Sequence, residues 1–463
     1  MRNALMIAYH FPPDSSSGTY RTLKFARYLP DYGYRPIILT VLQKHLDSHL
    51  PLDPELLAEV PKQVEILRTP VFDPFARLLE VRNGLRWVLS AAHQNTNGQG
   101  NISSCVRKPK NGRVRQVIHL LERLTMIPDS KIGWLSYAFS AGMRIISKYD
   151  VDVLYSSGPP FACHLVGLAL SKASKKPWIV DFRDPWIQGI DFERRHPTRI
   201  ERAIEKSMEY RVIKNAGKIL CVSEPMDIDF KKRYKCIDSE KGLVIMNGFD
   251  PNDFEDLDRA KTRIFTISHV GSLYGSRTPK YFLEALQSLV RDEEELSRKI
   301  RVLLVGHIDK EYMAAINSFP VPQMIEVIPW VSRRESLEYM VSSDLLLLIV
   351  HDGGEDKSKH MLTGKIFEYI GAGKPILALA PKDGAVAKLI GKVGVGEVVP
   401  IDSIVQIRSA IEKLFHKYQQ NNLDDYDGDI LRKQRYTRQK QAEQLAKIMD
   451  MLVEKQGIRG FYQ

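Results

Sequence analysis

The chain has 463 residues, 44% hydrophobic and 27% charged, the balance of a soluble globular protein long enough for two or three domains. A net charge of +11 favours anionic partners, and no apolar run approaches the roughly 18 residues that span a bilayer. No helix-turn-helix, zinc-finger or RNP signature is present, and no aromatic residues interleave with a basic run, which argues against nucleic acid.

The opening Met1-Arg-Asn-Ala-Leu-Met-Ile-Ala-Tyr-His10 has too short an apolar core for a signal peptide, so a cytoplasmic protein is expected. Ala4 to Ala8 reads as a strand, Thr19 to Tyr32 as a helix and Pro36 to Thr40 as a second strand. Between the first strand and helix lies His10-Phe-Pro-Pro-Asp-Ser-Ser-Ser-Gly18, where serine hydroxyls and backbone N–H groups can cradle an anion or simply cap the helix. Further on, residues 77–123 form a distinct insertion. Its polar middle is followed by Arg107, Lys108, Lys110, Arg113 and Arg115, then by Val114, Val117, Ile118, Leu121 and Leu124 at helical spacing. Such a basic amphipathic helix suits an anionic membrane surface, or packs as an ordinary solvated helix on its own domain.

Later strands are expected at Val153 to Ser156, Trp178 to Asp181, Lys218 to Val222 and Leu243 to Met246. The first of these opens into Ser156-Ser-Gly-Pro-Pro-Phe-Ala-Cys-His164, the second into Asp181-Phe-Arg-Asp-Pro-Trp186. Arg183 and Asp184 then sit where a buried strand meets solvent, free to touch a ligand or to pair with each other. After the turn-rich Asn247 to Asp253 and a charged linker at Glu255 to Arg263, a second series follows. Its strands are Phe265 to Val270, Val302 to Gly306, Met324 to Ile328, Leu345 to Val350 and Ile376 to Ala380. Strand–helix alternation of this kind predicts parallel, doubly wound sheets, with ligands at the strands' carboxyl ends. A long basic helix is expected from Leu431 to Val453.

Four cysteines (Cys105, Cys163, Cys221 and Cys236) are widely spread without zinc-ligand spacing. Asp150-Val-Asp152 resembles a DxD metal motif, but the pattern recurs elsewhere by chance and here precedes a strand, so no metal is expected.

The most informative stretch is Lys365-Ile-Phe-Glu368-Tyr-Ile-Gly-Ala-Gly373-Lys-Pro375, after the apolar Leu345 to Val350. A short helix is expected to begin near Gly364 and to stop at Gly371 and Gly373. Its N-terminus is a natural phosphate site, and Lys365 supplies the matching charge. The alternative is a surface ion pair between Lys365 and Glu368, three residues apart.

This module resembles the nucleotide-sugar site of GT-B glycosyltransferases of family 4. The resemblance implies an α/β protein of GT-B fold, two Rossmann-like doubly wound domains facing a central cleft. Residues 1–254 would bind the acceptor, 264–429 the nucleotide sugar, and 430–463 would form a helix crossing back to the first domain. It places Lys365 on the donor diphosphate and Glu368 on the ribose hydroxyls. Gly18, Gly271, Arg277, Lys280, Gly306, Trp330, Val331, Thr363 and Gly364 would line the rest of the donor site. His164 would lie near the reacting sugar, with His164, Arg277 and Lys365 as the catalytic set. Ser17, Arg21, Arg183 and Asp184 would face the acceptor.

The implied reaction moves a sugar from a nucleotide sugar to an envelope or exported-polysaccharide acceptor with retention, the departing phosphate itself taking the acceptor's proton. A lipid-linked glycan acceptor on the inner face of the cytoplasmic membrane fits that setting, and no cofactor beyond the donor is implied. One departure is His360, where many members carry a further glutamate at the sugar site. It keeps two alternatives in view, a catalytically silent nucleotide-sugar-binding module and a sugar-nucleotide epimerase of the same fold.

Overall fold

The structure is a computed structural model that describes residues 1–46, 51–72, 123, 125–189, 192–193, 195–257, 264–350, 359 and 362–460. The chain divides into two compact units, Met1–Val244 with Leu445–Gln463, and Ile245–Gln444. The basic residues 107–115 and His360 lie outside the described residues.

The first unit holds a seven-stranded sheet ordered β3-β2-β1-β4-β5-β6-β7. Its strands are β1 (Arg2–Ile7), β2 (Tyr34–Val41), β3 (Glu65–Thr69), β4 (Val153–Gly158), β5 (Trp178–Phe182), β6 (Lys218–Cys221) and β7 (Gly242–Val244). The second unit holds six strands ordered β10-β9-β8-β11-β12-β13. They are β8 (Phe265–Val270), β9 (Ile300–Val305), β10 (Ile325–Ile328), β11 (Leu345–Ile349), β12 (Ile376–Leu379) and β13 (Gly396–Val399). Every described pairing is parallel. These are two Rossmann-like sheets, and in each the strand order reverses once, between β1 and β4 and between β8 and β11. Loops at such a reversal diverge and leave room for a ligand.

Parallel strands are covered on both faces, which explains their continuous apolar runs. In β11, Leu345, Leu347 and Ile349 enter one core, whereas Leu346 and Leu348 enter another that also holds Ile366, Phe367, Tyr369 and Ile370 of the Lys365–Ala372 helix. Burying each such side chain is worth about 1.5–3 kcal/mol, so this helix is pinned by its apolar face. Gly373, at φ +67°, terminates it. Gly371 does not stop the helix but lies within it, where a Cβ would meet the rings of Phe249 and Phe254 at 2.6–2.8 Å. Those two rings belong to the second core, and the second unit accordingly begins at Ile245.

The basic C-terminal stretch forms two helices, Ile430–Gln434 and Arg438–Gly460, rather than the single one its periodicity suggests. The break lets Phe249 bond across it, donating to the Tyr436 carbonyl at 3.0 Å and accepting from the Arg438 amide at 2.8 Å. The distal part of the longer helix counts with the first unit. There Asp450 accepts from Tyr34 at 2.8 Å. Among the described residues no helix is long and apolar enough to cross a membrane. Asp152, of the DxD-like pair, accepts from the Asn3 amide at 2.6 Å, and Asp150 ends a helix in the left-handed conformation at φ 45°.

Arg21 anchors the first helix (Ser17–Tyr28) to the sheet. Its Nε and Nη2 donate to the two carboxylate oxygens of Asp181 at 2.8 Å each, and Tyr155 and Ser157 donate to the same carboxylate at 2.6 and 3.1 Å. Burial would raise the Asp181 carboxyl, but Arg21 and the Tyr155 hydroxyl more than reverse this and hold it below its usual value. Removing one member of a buried pair strands the other charge, at about 3–5 kcal/mol. Arg21→Ala should therefore lower the stability of the first unit by that amount in urea denaturation, and a loss under about 1 kcal/mol would contradict this account.

Candidate functional site: strand ends at the sheet reversals

In the second unit the site begins on β8. His269 is buried and its Nδ1 lies 2.9 Å from the carbonyl oxygen of Leu347 on β11. A carbonyl only accepts, so Nδ1 carries the hydrogen and Nε2 presents a lone pair. The Lys365 ammonium sits 3.3 Å from that Nε2. Burial, reinforced by Lys365, keeps the His269 imidazole neutral, well below its ordinary value. The Tyr369 hydroxyl, one turn after Lys365, accepts from the Val270 amide at 2.9 Å and fixes the helix against the same strand end.

Gly271 makes the position of Lys365 feasible. Its φ is +125°, and a Cβ there would lie 2.0 Å from both Cε and Nζ of Lys365. Gly306, at φ +123°, stands in the same relation to Gly271, its missing Cβ falling 2.9 Å from the Gly271 carbonyl carbon. The Gly271 amide donates to Val305 at 2.6 Å and that of Gly306 to Ile328 at 2.8 Å, so three strand ends are stitched together under the lysine. Burial, then the nearby Arg277 charge, bring the Lys365 ammonium down to about 7 against a weaker pull from Glu368. The Arg277 guanidinium lies over the Tyr274 ring at 5.3 Å with its buried Nε unpartnered. Thr363, before the helix start at Gly364, also has a buried hydroxyl without a partner.

Lys365 and Glu368 do not form the surface pair their spacing allows. Lys365 turns to His269, whereas Glu368 Oε1 accepts from Arg333 Nη1 at 2.7 Å. The other arm of that fork, Nη2, reaches Asp253 at 2.7 Å. The cation beside Lys365 is thus Arg277, and among the described residues no carboxylate is in contact with Lys365. Trp330 follows β10 and is 57% exposed, an unusual state for a large ring; the neighbouring Val331 packs on the core. Lys280 is not gathered into this group: its side chain is 61% exposed, 4.0 Å from Glu284 on its own helix.

In the first unit a second group forms around the β1–β4 reversal. Ser17 is exposed and starts the first helix; Gly18 follows, and a Cβ there would lie 2.7 Å from Arg183 Nη1. Arg183 Nη2 donates to the Pro159 carbonyl, while its buried Nε has no partner. Asp184 is exposed. His164 is fully buried, with Nδ1 3.0 Å from the Ser156 hydroxyl, which in turn accepts from Trp178 Nε1 at 2.9 Å. The indole can only donate, and the Ser156 hydroxyl keeps both a lone pair and a proton with which to meet Nδ1. That Nε2 has no partner and points at Gly158, where a Cβ would come within 2.7 Å. Burial brings His164 down to about 3, so it is neutral. Arg21 is corrected: 2% exposed and committed to Asp181, it is withdrawn from the acceptor side.

Sequence reasoning missed His269, Arg333 and Asp253. His269 looks like any strand residue, and the Arg333 fork joins partners distant in sequence, so neither left a local signal.

Comparison with known proteins bears on the fold and the family. Residues 103–253 match the model of Glycosyltransferase Family 4. A glycosyltransferase from Rickettsia africae ESF-5 is similar over 98% of both chains, with a TM-score of 0.60 and 14% identity. Anabaena Alr3699/HepE in complex with UDP-glucose gives a TM-score of 0.59 at 13% identity, over 97% of this chain and 100% of that one. WaaG, a glycosyltransferase involved in lipopolysaccharide biosynthesis, gives 0.55 at 15%, over 96% and 99%. The fold is GT-B. The resemblance to GT-B glycosyltransferases of family 4 holds. No curated protein matches the sequence.

The vacancy at Gly271 can be tested directly. Gly271→Ala places a Cβ on Lys365 and forces a left-handed residue, a strain of about 1–3 kcal/mol. Nucleoside diphosphate affinity should fall at least tenfold by calorimetry while far-ultraviolet circular dichroism is kept. Unchanged affinity would mean that Lys365 need not lie under residue 271.

Proposed function

We propose that the protein transfers a sugar, a hexose, from a nucleotide-sugar donor to an envelope or exported-polysaccharide acceptor, with retention of the anomeric configuration. The observation that carries this reading is the enclosed Lys365 ammonium at the start of a helix, near Arg277 and with no carboxylate against it among the described residues. Two cations and a helix N-terminus are short of a dianion. A nucleoside diphosphate supplies one, and more charge gathers on it as the glycosidic bond breaks. Stabilisation that grows toward the transition state accelerates the chemistry, and no metal is invoked for it.

Glu368, oriented by Arg333, would accept hydrogen bonds from ribose hydroxyls, and Trp330 and Val331 would border the base. HepE was crystallised with UDP and with UDP-glucose, which supports a nucleotide sugar as the donor class. His164 would lie near the reacting sugar, and Ser17, Arg183 and Asp184 would face the acceptor. The lipopolysaccharide role of WaaG supports an envelope acceptor. A cytoplasmic enzyme reaching a lipid-linked acceptor at an anionic membrane surface through Arg107, Lys108, Lys110, Arg113 and Arg115 completes the reading.

Turnover of a panel of nucleoside-diphosphate sugars, followed by release of the nucleoside diphosphate, tests it. Lys365→Met should slow release about 10²–10³-fold, the usual effect of losing one preorganised partner of the developing charge. Glu368→Gln should instead weaken binding of the free nucleoside diphosphate. A folded Lys365→Met protein at wild-type rate would sink the proposal.

The lysine also sets a pH dependence. With its free value about 7, Lys365 is mostly neutral at pH 8.5, and a bound diphosphate favours the ammonium and raises that value. Binding should then take up a proton, and affinity should fall by up to about tenfold per pH unit above 7. Calorimetry in two buffers of different ionisation enthalpy measures the uptake. It should vanish in Lys365→Met; a binding reaction without proton uptake at pH 8.5 would show that Lys365 does not meet the diphosphate.

A further inference from the structure

Lys365 has two acceptors to choose between, and it takes the weaker. Glu368 stands three residues along the same helix, a spacing at which lysine and glutamate commonly pair. Its Oε1 accepts from Arg333, and its Oε2 accepts no hydrogen bond among the described residues. The Lys365 nitrogen nevertheless lies 3.3 Å from His269 Nε2, the lone pair of a neutral imidazole. A carboxylate attracts an ammonium more strongly than an imidazole does, so the surroundings must impose this choice.

His269 is 1% exposed, the last residue but one of β8, and its Nδ1–H is given to the Leu347 carbonyl of β11 at 2.9 Å. That bond sets both the tilt of the ring and its tautomer, leaving the Nε2 lone pair at the strand end. Two residues later Gly271 clears the path of the lysine stem, whose Cε and Nζ lie where a Cβ would otherwise stand. An imidazole lone pair accepts an N–H from either form of the side chain, ammonium or amine. It therefore aims the nitrogen without cancelling its charge, as a carboxylate in the same place would do. Among the described residues, the charged groups that face the lysine are Arg277 from the loop after β8 and Glu368 on its own helix. Burial, then Arg277, bring the ammonium down to about 7, and burial keeps the imidazole neutral.

We infer that His269 is a positioning residue that holds the Lys365 nitrogen at the β8 end and away from Glu368. The two parts of a nucleoside diphosphate then meet separate groups, the phosphates the lysine and the ribose the carboxylate. Without the imidazole the lysine falls back on Glu368, and each neutralises the other. The ligand in this account rests on the donor reading above, whereas the orientation of the lysine does not.

Two substitutions separate the two bonds of the ring. His269→Asn keeps an amide N–H where Nδ1 stood and offers nothing where Nε2 stood. His269→Gln puts its carboxamide oxygen near the Nε2 position and leaves Leu347 without a donor. With UDP as the probe, calorimetry at pH 7 should show His269→Asn weakened at least about tenfold, the effect of one hydrogen bond to a charged group, and His269→Gln within about threefold of wild type. In two buffers at pH 8.5, proton uptake on UDP binding should shrink in His269→Asn, because a lysine paired with Glu368 is already charged, and persist in His269→Gln. Wild-type affinity in His269→Asn overturns the inference. So does the reverse order, or a loss of affinity and thermal stability in both variants, which would assign the histidine to packing alone.

Urea denaturation reads the same orientation without nucleotide. A lysine at about 7 in the folded protein, against an ordinary 10.5 when unfolded, makes stability rise with pH between those values. The urea midpoint of wild type relative to Lys365→Met should therefore climb from about pH 7 to about pH 9. In the His269→Asn background the same difference should stay flat. A climb of equal size in both backgrounds overturns the inference even if the wild type binds no UDP. Absence of UDP binding with the climb confined to the wild-type background would refute the donor reading and leave the orientation by His269 standing.

Discussion

The close approach of Lys365 to the β8 end governs the second unit. An ammonium can occupy that place only because residue 271 has no side chain, and Gly271 can lie there only because Gly306 has none. The surrounding apolar helix face then fixes the lysine where its charge is expensive. Folded proteins seldom keep an enclosed cation without a carboxylate, since desolvation costs several kcal/mol. Among the described residues the charges felt by Lys365 are a second cation, Arg277, and the carboxylate of Glu368, which is engaged by Arg333. The neutral His269 Nε2 is a weak substitute for an anion. An arrangement this unfavourable without a ligand is the expected state of a preorganised anion site.

The first unit repeats the topology with the opposite electrostatic outcome. Arg21 and Asp181 meet at the ends of the first helix and β5, and the tyrosine and serine hydroxyls complete the carboxylate's bonds. That network is closed and has nothing left to offer. Beside it, His164 Nε2 and Arg183 Nε stay buried and unpartnered among the described residues. Satisfied charges build the scaffold, and unsatisfied ones mark where a ligand's polar groups would be received.

The strands of both sheets were legible because a strand buried on both faces reads as an uninterrupted apolar run; Leu345 to Ile349 is the clearest case. β3 and β13 escaped notice for the same reason inverted: they lie at sheet edges and carry residues such as Glu65, Arg68 and Glu397. Lys365, Gly271 and Glu368 could be picked out because their chemistry is local, a strand end followed by a turn or helix start. Arg21 could not be read correctly, since its partner lies 160 residues away and only the fold brings them together. The single C-terminal helix was overruled by Phe249, whose backbone bonds require a break at Tyr436 to Arg438. The His10–Asp14 pair was visible as residues in the loop, but their hydrogen bond depends on a backbone course that spacing does not specify.

Each unit assembles its own group from the carboxyl ends of its own strands. The anion deficit around Lys365 arises, among the described residues, within the second unit, from β8, β9 and the Lys365–Ala372 helix. His164, bonded to Ser156 of β4, and His10, bonded to Asp14 beyond β1, belong entirely to the first.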